Sequence, residues 1–270
     1  MSLGCMVGIH PSSGPAEFGG DRVSAAAIVD HVVAVRRCSE WQHVLPDAEI
    51  AFPARLLAVA TTAQWVKDRA DKGLCVGVRG DQDLDHALSA GVPPARMVFH
   101  CERAPTGTVW NAVGVGVGRF IVGTERQMML VSACAPERQS VLIDVTDRRQ
   151  ADDLLTTVVV DEGLSLTGLH VQLDNAGGAD QVKHAIEQMA RFSRKHAVVF
   201  SRLSLAVSEP LSAAPQTRAA LVAAVEDAIN ASCRRLRFPR PALMVSPQWP
   251  MITGRGRSHP SAASQLPRPA

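Results

Sequence analysis

The chain has 270 residues, 46% hydrophobic and 20% charged. That apolar share excludes a largely disordered protein and leaves room for a sizeable core in one large domain or two smaller ones. Its 28 Lys+Arg against 26 Asp+Glu give a formal charge of +2, so no global field steers it towards nucleic acid or an anionic membrane. Aromatics are 4% and tyrosine is absent; this removes every tyrosine acid, base or nucleophile and argues against a base-stacking surface.

Residues 1–23 are rich in Gly, Pro and Ser and read as an N-terminal arm. The start, Met1 to Gly8, has no basic region followed by an apolar one, so Leu3-Gly4-Cys5 is not read as a processed lipoprotein site. No apolar run approaches the ~20 residues of a membrane span. Cys5, Cys38, Cys75, Cys101, Cys134 and Cys233 are scattered, with no CxxC pair, and read as free thiols in a reducing compartment. The expected location is the cytoplasm, with neither membrane nor nucleic acid as partner.

From Ser24, Ala-Ala-Ala-Ile-Val-Asp-His-Val-Val-Ala-Val-Arg-Arg has apolar residues at helical spacing. Strand-like β-branched runs follow at Glu49–Pro53, Leu74–Val78, Met97–His100, Arg119–Val122, Ser140–Val145, Leu166–Leu173, Arg202–Ala206 and Ala242–Ser246. Helix-like segments separate them at Thr61–Asp71, Asp83–Ala90, Thr108–Val113, Glu125–Cys134, Arg148–Asp161, Ala179–His196 and Thr217–Leu236. Val182, Ile186, Met189 and Phe192 make one apolar stripe. Alternating strands and helices predict a parallel α/β protein. Eight repeats over about 220 residues suit a (β/α)₈ barrel of TIM type, with a doubly wound sheet as the alternative, because periodicity cannot show closure. The barrel is expected over 24–252 and a disordered tail, with arginines suited to an acidic partner or a solvated surface, over 253–270.

The segment Leu84-Asp-His-Ala-Leu-Ser-Ala-Gly-Val-Pro-Pro-Ala-Arg-Met-Val-Phe-His100 resembles a stretch of the pyridoxal-phosphate-dependent diaminopimelate and ornithine decarboxylases. In that family a helix ending "ALxAGVPPxRIVFH" feeds the third strand of the alanine-racemase-like barrel. Gly116-Val-Gly-Arg-Phe-Ile-Val is similar to the fourth strand. Leu166-Thr-Gly-Leu-His-Val-Gln-Leu resembles "LxGLHxHIGS", and Pro241-Ala-Leu-Met-Val-Ser-Pro resembles "PxLVVEPGR". Four matches in one order, over roughly residues 24–252, imply the barrel; they do not carry the chemistry.

The positions where the resemblance would place the cofactor depart from it. The family's first strand ends in "YAxK", whose lysine forms the Schiff base. Phe52-Pro-Ala-Arg-Leu-Leu, anchored on Trp65, puts Arg55 there, and a gapped alternative puts Ala60 there. A guanidinium stays protonated and cannot form an imine. The four lysines, Lys67, Lys72, Lys183 and Lys195, all fall within or beside predicted helices. The stacking histidine becomes Gln172, while the preceding His170 survives; the next Gly-Ser becomes Asp174-Asn175. "DLGGG" becomes Ser204-Leu-Ala-Val-Ser208, whose Ala206 and Val207 carry side chains where the family's glycines let backbone approach a phosphate. "EPGR" becomes Ser246-Pro-Gln248-Trp249, so Ser246 stands for the acid that pairs with the pyridine nitrogen. The family's "KFG" loop has no counterpart after Asp144-Val-Thr, and the β-rich second domain, which supplies a cysteine, an aspartate and a tyrosine across the dimer interface, has none either.

The sequence therefore predicts a degenerate barrel acting as a binding or regulatory module, as a homodimer or a heterodimer with an active relative, with no cofactor. The alternative is an active amino-acid decarboxylase with an altered pyridoxal phosphate site. A third reading gives the barrel unrelated chemistry through Arg55, Asp144 and His170. Arg55 suits a phosphate or carboxylate clamp, or a simple ion pair. His170 suits a hydrogen-bonded wall residue, or an acid–base or metal cluster with Asp144 and Asp174. His184 and Glu187, at i and i+3, suit a surface pair more than a metal site. Gly114-Val-Gly-Val-Gly-Arg precedes a strand, unlike a phosphate cradle. The arginines of Cys233-Arg-Arg-Leu-Arg-Phe suit a solvated helix end.

Overall fold

The structure, a computed structural model, describes residues 25–69, 73–173, 178–208 and 214–247, without the side chains of 25–30 and 148–150. Eight strands, β1 (Glu49–Pro53), β2 (Leu74–Val78), β3 (Met97–His100), β4 (Arg119–Val122), β5 (Gln139–Asp144), β6 (Leu164–Leu173), β7 (Arg202–Val207) and β8 (Ala242–Pro247), pair in parallel and in sequence order. Pairing of Glu49 with Met244 and Ile50 with Val245 closes the barrel, so the doubly wound alternative falls. β3 and β4 are buried at every position, as strands covered on both faces should be.

The helices are α1 (Ala25–Val44), α2 (Ala60–Lys67), α3 (Asp81–Ser89), α4 (Thr106–Gly114), α5 (Glu125–Cys134), α6 (Arg148–Val160), α7 (Gly178–His196) and α8 (Pro215–Leu236). α2 to α8 connect successive strands, whereas α1 precedes β1 and completes the ring. Glu40 of α1 pairs with Arg218 of α8 at 2.9 Å, and His31 of α1 bonds Thr62 of α2. The predicted elements are found with ends displaced by a few residues. The largest shift is at α2, which ends at Lys67 with Asp68 as its C-cap, the Asp68 N–H donating to the Gln64 carbonyl at 3.0 Å. α7 buries the predicted stripe Val182, Ile186, Met189 and Phe192 and ends in Arg194, Lys195 and His196, cations that suit the negative end of its dipole. Pro215 opens α8, and Arg237 closes it in the left-handed region at φ 50°. A proline at the first turn loses no hydrogen bond there.

The main core lies between strands and helices and includes Trp41, Phe52, Phe99, Phe120, Met128 and Ile186. A second, smaller cluster of Ala51, Cys75, Val98, Ile121, Leu142 and Met244 fills the barrel's waist. Below it, at the strands' N-terminal end, Arg119 grips both carboxylate oxygens of Glu49, and Arg202 bonds the same Oε2 at 3.0 Å. Polar residues therefore plug the floor, apolar ones seal the middle, and the C-terminal ends of the strands are left open for a site.

One irregularity decides which side chains reach that site. Val141 pairs with Leu166 but Leu142 pairs with Gly168, so Thr167 is an extra residue in β6. Its hydroxyl bonds the Val141 carbonyl at 3.1 Å. Because facing alternates along a strand, this bulge reverses the face of everything after it relative to β5 and sets His170 opposite Asp144.

Candidate active site at the barrel mouth

Chemistry in this fold sits at the C-terminal ends of the strands, and two hollows open there. The first, about 450 Å³, is bounded by Phe52, Pro53, Arg55, Gly77, Arg79, Asp83, His100, Ser246 and Pro247. The second, about 260 Å³, is bounded by Glu102, Gly123, Gln127, Asp144, His170, Gln172 and Ala206 among others. Arg79 and His100 line both, so the two are lobes of one mouth.

The structure brings most of the singled-out positions together. Arg55, in a 3₁₀ turn directly after β1, is exposed and lines the first lobe. Ser246 is 8% exposed on the same lobe, and its buried Oγ has no hydrogen-bond partner among the described residues. Gln172 and Ala206 line the second lobe. Val207, the last residue of β7, packs into the outer core instead. Ser208 donates its N–H to the Leu173 carbonyl at 3.1 Å. Gln248, Trp249, Asp174 and Asn175 lie outside the described residues. So does Lys72.

His170 is a wall residue, as its hydrogen bond shows: Nδ1 lies 2.8 Å from the Ser204 hydroxyl. Asp144 lines the same lobe, and one of its oxygens accepts the Thr146 N–H at 2.9 Å. Among the described residues no group of three His, Cys, Asp or Glu side chains could hold a metal ion. Glu187 pairs with Arg235 of α8, where α7 packs on α8. Of the glycines of 114–118, Gly114 ends α4 and Gly116 and Gly118 lie in the turn before β4, at the floor end. Cys38, Cys75, Cys101, Cys134 and Cys233 are free thiols, and burial pushes those of Cys38, Cys75 and Cys101 up.

Sequence reading passed over Arg79 and His100. Their available signal was position alone, one residue beyond β2 and at the last residue of β3. His100 and His170 meet edge to face, with ring centroids 5.8 Å apart. Burial, then the charge of Arg79, then His170 holds His100 well below the ordinary histidine range. Burial likewise lowers His170, with Arg79 assisting and Asp144 and Glu102 opposing. Both rings are therefore neutral at pH 7, and protonating them favours the unfolded chain. Stability from this pair is complete above about pH 6.5 and declines as pH falls below it, by about 1.4 kcal/mol per pH unit for each histidine. Urea unfolding at pH 7.5 and 5.5 checks this: a His100→Asn, His170→Asn double variant should lose less stability on acidification than the parent. Equal losses would remove the histidine account.

No lysine among the described residues lines either lobe. Helices run antiparallel to their strands, so Lys67 and Lys195, at or near the C-terminal ends of α2 and α7, belong to the floor end. Lys183 is half-exposed on α7 and paired with Asp180 at 2.9 Å.

This is a closed (β/α)₈ barrel with a two-lobed mouth at the C-terminal ends of its strands. Residues 33–163 match the family model of the pyridoxal-dependent decarboxylases, pyridoxal binding domain. Diaminopimelate decarboxylase of Actinosynnema pretiosum is 30% identical over 119 residues, 44% of this chain and 26% of its own length. That of Mycobacterium tuberculosis H37Rv is 26% identical over 146 residues, 53% and 31%. The chain thus spans about a quarter to a third of the curated relatives it matches. Ornithine decarboxylase from Entamoeba histolytica superposes with a TM-score of 0.61 at 17% identity, over 81% of this chain and 62% of that one. Diaminopimelate decarboxylase from M. jannaschi gives 0.61 at 12%, over 82% and 58%. At these identities the superpositions speak for the fold alone. No described helix is long and apolar enough to cross a membrane.

Proposed function

We propose that this barrel is a catalytically inactive member of the decarboxylase family that binds a ligand or a partner subunit without forming a Schiff base. One observation carries the reading: the turn after β1, where the resemblance places the imine-forming lysine, presents Arg55 to the mouth. A guanidinium has no unprotonated amine to attack an aldehyde at any accessible pH. Two neighbouring positions agree with it. Ser246 cannot supply a negative charge to a pyridine nitrogen, and the Ala206 methyl faces the mouth where a glycine would leave room for a phosphate. On this reading pyridoxal phosphate is not a resident cofactor, and the chain works as a homodimer or beside an active relative in the cytoplasm.

Incubation with equimolar pyridoxal phosphate, borohydride reduction and peptide mapping test it. The expected result is no stoichiometric adduct at Lys67, Lys72, Lys183 or Lys195 and no CO₂ from lysine, ornithine, arginine or diaminopimelate. A single-site adduct, or CO₂ release with cofactor, would overturn the proposal in favour of an active decarboxylase with an altered site.

A further inference from the structure

The face of the barrel opposite the mouth carries a surplus of positive charge. Below the apolar waist a hollow of about 410 Å³ opens at the N-terminal ends of the strands, and the titratable residues lining it are Glu49, Arg96, Arg119 and Arg202. Arg119 and Arg202 share the single Glu49 carboxylate. By contrast, Asp152 and Glu187 on the outer helices each meet one arginine, Arg191 and Arg235. Two guanidiniums against one carboxylate leave one positive charge at the floor. That surplus does not depend on Arg96, whose head bonds the Leu74 carbonyl at 3.4 Å.

No described neighbour restores the balance. Among the described residues Glu49 is the only carboxylate acting on Arg119. The other group that acts on it, the Cys75 thiol, is kept protonated by burial. Asp71 and Lys72, outside the described residues and just before Gly73, carry one formal charge of each sign.

The two arginines divide the work. Arg119, with a side chain 8% exposed, turns both Nη atoms onto Glu49 and pins the carboxylate. Arg202, 36% exposed, gives Glu49 one bond from Nη1 at 3.0 Å. Its Nε and Nη2, which form the other edge of the guanidinium fork, have no hydrogen-bond partner among the described residues. The walls contributed by Gly73, Ala95 and Gly118 are small, so a compact group can approach that edge. A charge held by a mostly buried cluster is screened less than one on an open surface.

We propose that this floor hollow is a second ligand site that takes a compact oxyanion, a phosphate or a carboxylate, with the open edge of Arg202 as its donor and the unbalanced charge of the Arg119–Glu49–Arg202 cluster as its field. Either oxyanion accepts two parallel N–H bonds from such an edge. The bound anion balances the cluster, so binding also stabilises the folded barrel. The site lies across the barrel from the mouth and stands whether or not a Schiff base forms there.

Titration calorimetry with inorganic phosphate and, separately, with malonate, at one ionic strength, tests the assignment. It compares the parent with Arg202→Ala, Arg202→Gln and, as a surface control, Arg36→Ala. One anion should bind the parent saturably. Arg202→Ala should weaken it at least about fivefold, in line with a lost charge-assisted bond. Arg202→Gln keeps a hydrogen-bonding partner for Glu49, serves if the alanine protein does not fold, and should weaken binding likewise. Arg36→Ala should bind as the parent does. The preferred anion separates phosphate-bearing ligands from carboxylates, and it should raise the Tm of the parent more than that of either Arg202 variant. No saturable binding of either anion, or parent-like affinity in a folded Arg202 variant, overturns the inference.

Discussion

Glu49→Gln should destabilise the barrel by about 3 kcal/mol, because removing one partner of a buried ion cluster strands the others. Arg119 is 8% exposed and Glu49 21%, so two charges lie in the floor with little solvent to replace the lost carboxylate. Arg202, at 36%, contributes less, since solvent screens it. The same carboxylate gives the floor an acid limit. Burial by itself raises Glu49, but the Arg119 bond and the charges of Arg119, Arg202 and Arg96 hold it below the ordinary value of 4.5. A depressed carboxylate contributes stability above its unfolded value, and the contribution disappears as pH falls through the folded one. Urea unfolding should therefore show a large gap between parent and Glu49→Gln at pH 7 that narrows below about pH 4.5. A gap of less than about 1 kcal/mol at pH 7 would mean that the cluster is a surface-like pair.

Gly168→Ala should have a comparable effect for a different reason. A Cβ at residue 168 would sit 2.2 Å from the Arg202 carbonyl oxygen and 2.7 Å from Leu142 Cδ2. Leu142 can turn, but the carbonyl belongs to the neighbouring strand and can move only if β7 shifts. Overpacking of this kind costs about 3 kcal/mol, which in a domain of this size lowers Tm by about 6–12 °C. Gly168 directly follows the bulge residue Thr167 and lies two residues before His170, so the variant should also displace the mouth wall around His170. A thermal melt within 2 °C of the parent, a limit set by about 1 kcal/mol, would show that β6 and β7 separate freely.

Much of the scaffold was legible in the chain itself. Runs such as Met97–His100 and Arg119–Val122 read as strands because burial on both faces leaves no polar alternation, and the stripe on α7 read as a helix because its spacing matches 3.6 residues per turn. Closure was not legible, since the contact of Glu49 and Ile50 with Met244 and Val245 joins residues nearly 200 positions apart. The site was legible in part. Arg55, His170, Gln172 and Ser246 were found through motif positions. Arg79 and His100 were passed over because neither type nor spacing marks them; only convergence at one hollow does.

The sequence by itself determined the parallel α/β alternation, the absence of a lysine from the strand ends and the guanidinium after the first strand, all properties of local pattern and residue chemistry. Only the tertiary structure decided what those residues face. The bulge at Thr167 turns His170 inward, alternation sends Val207 outward while Ala206 stays at the mouth, and barrel closure sets Ser246 of the last strand beside Arg55 and Arg79 of the first two. Facing depends on register, and register is fixed by pairing between strands remote in sequence.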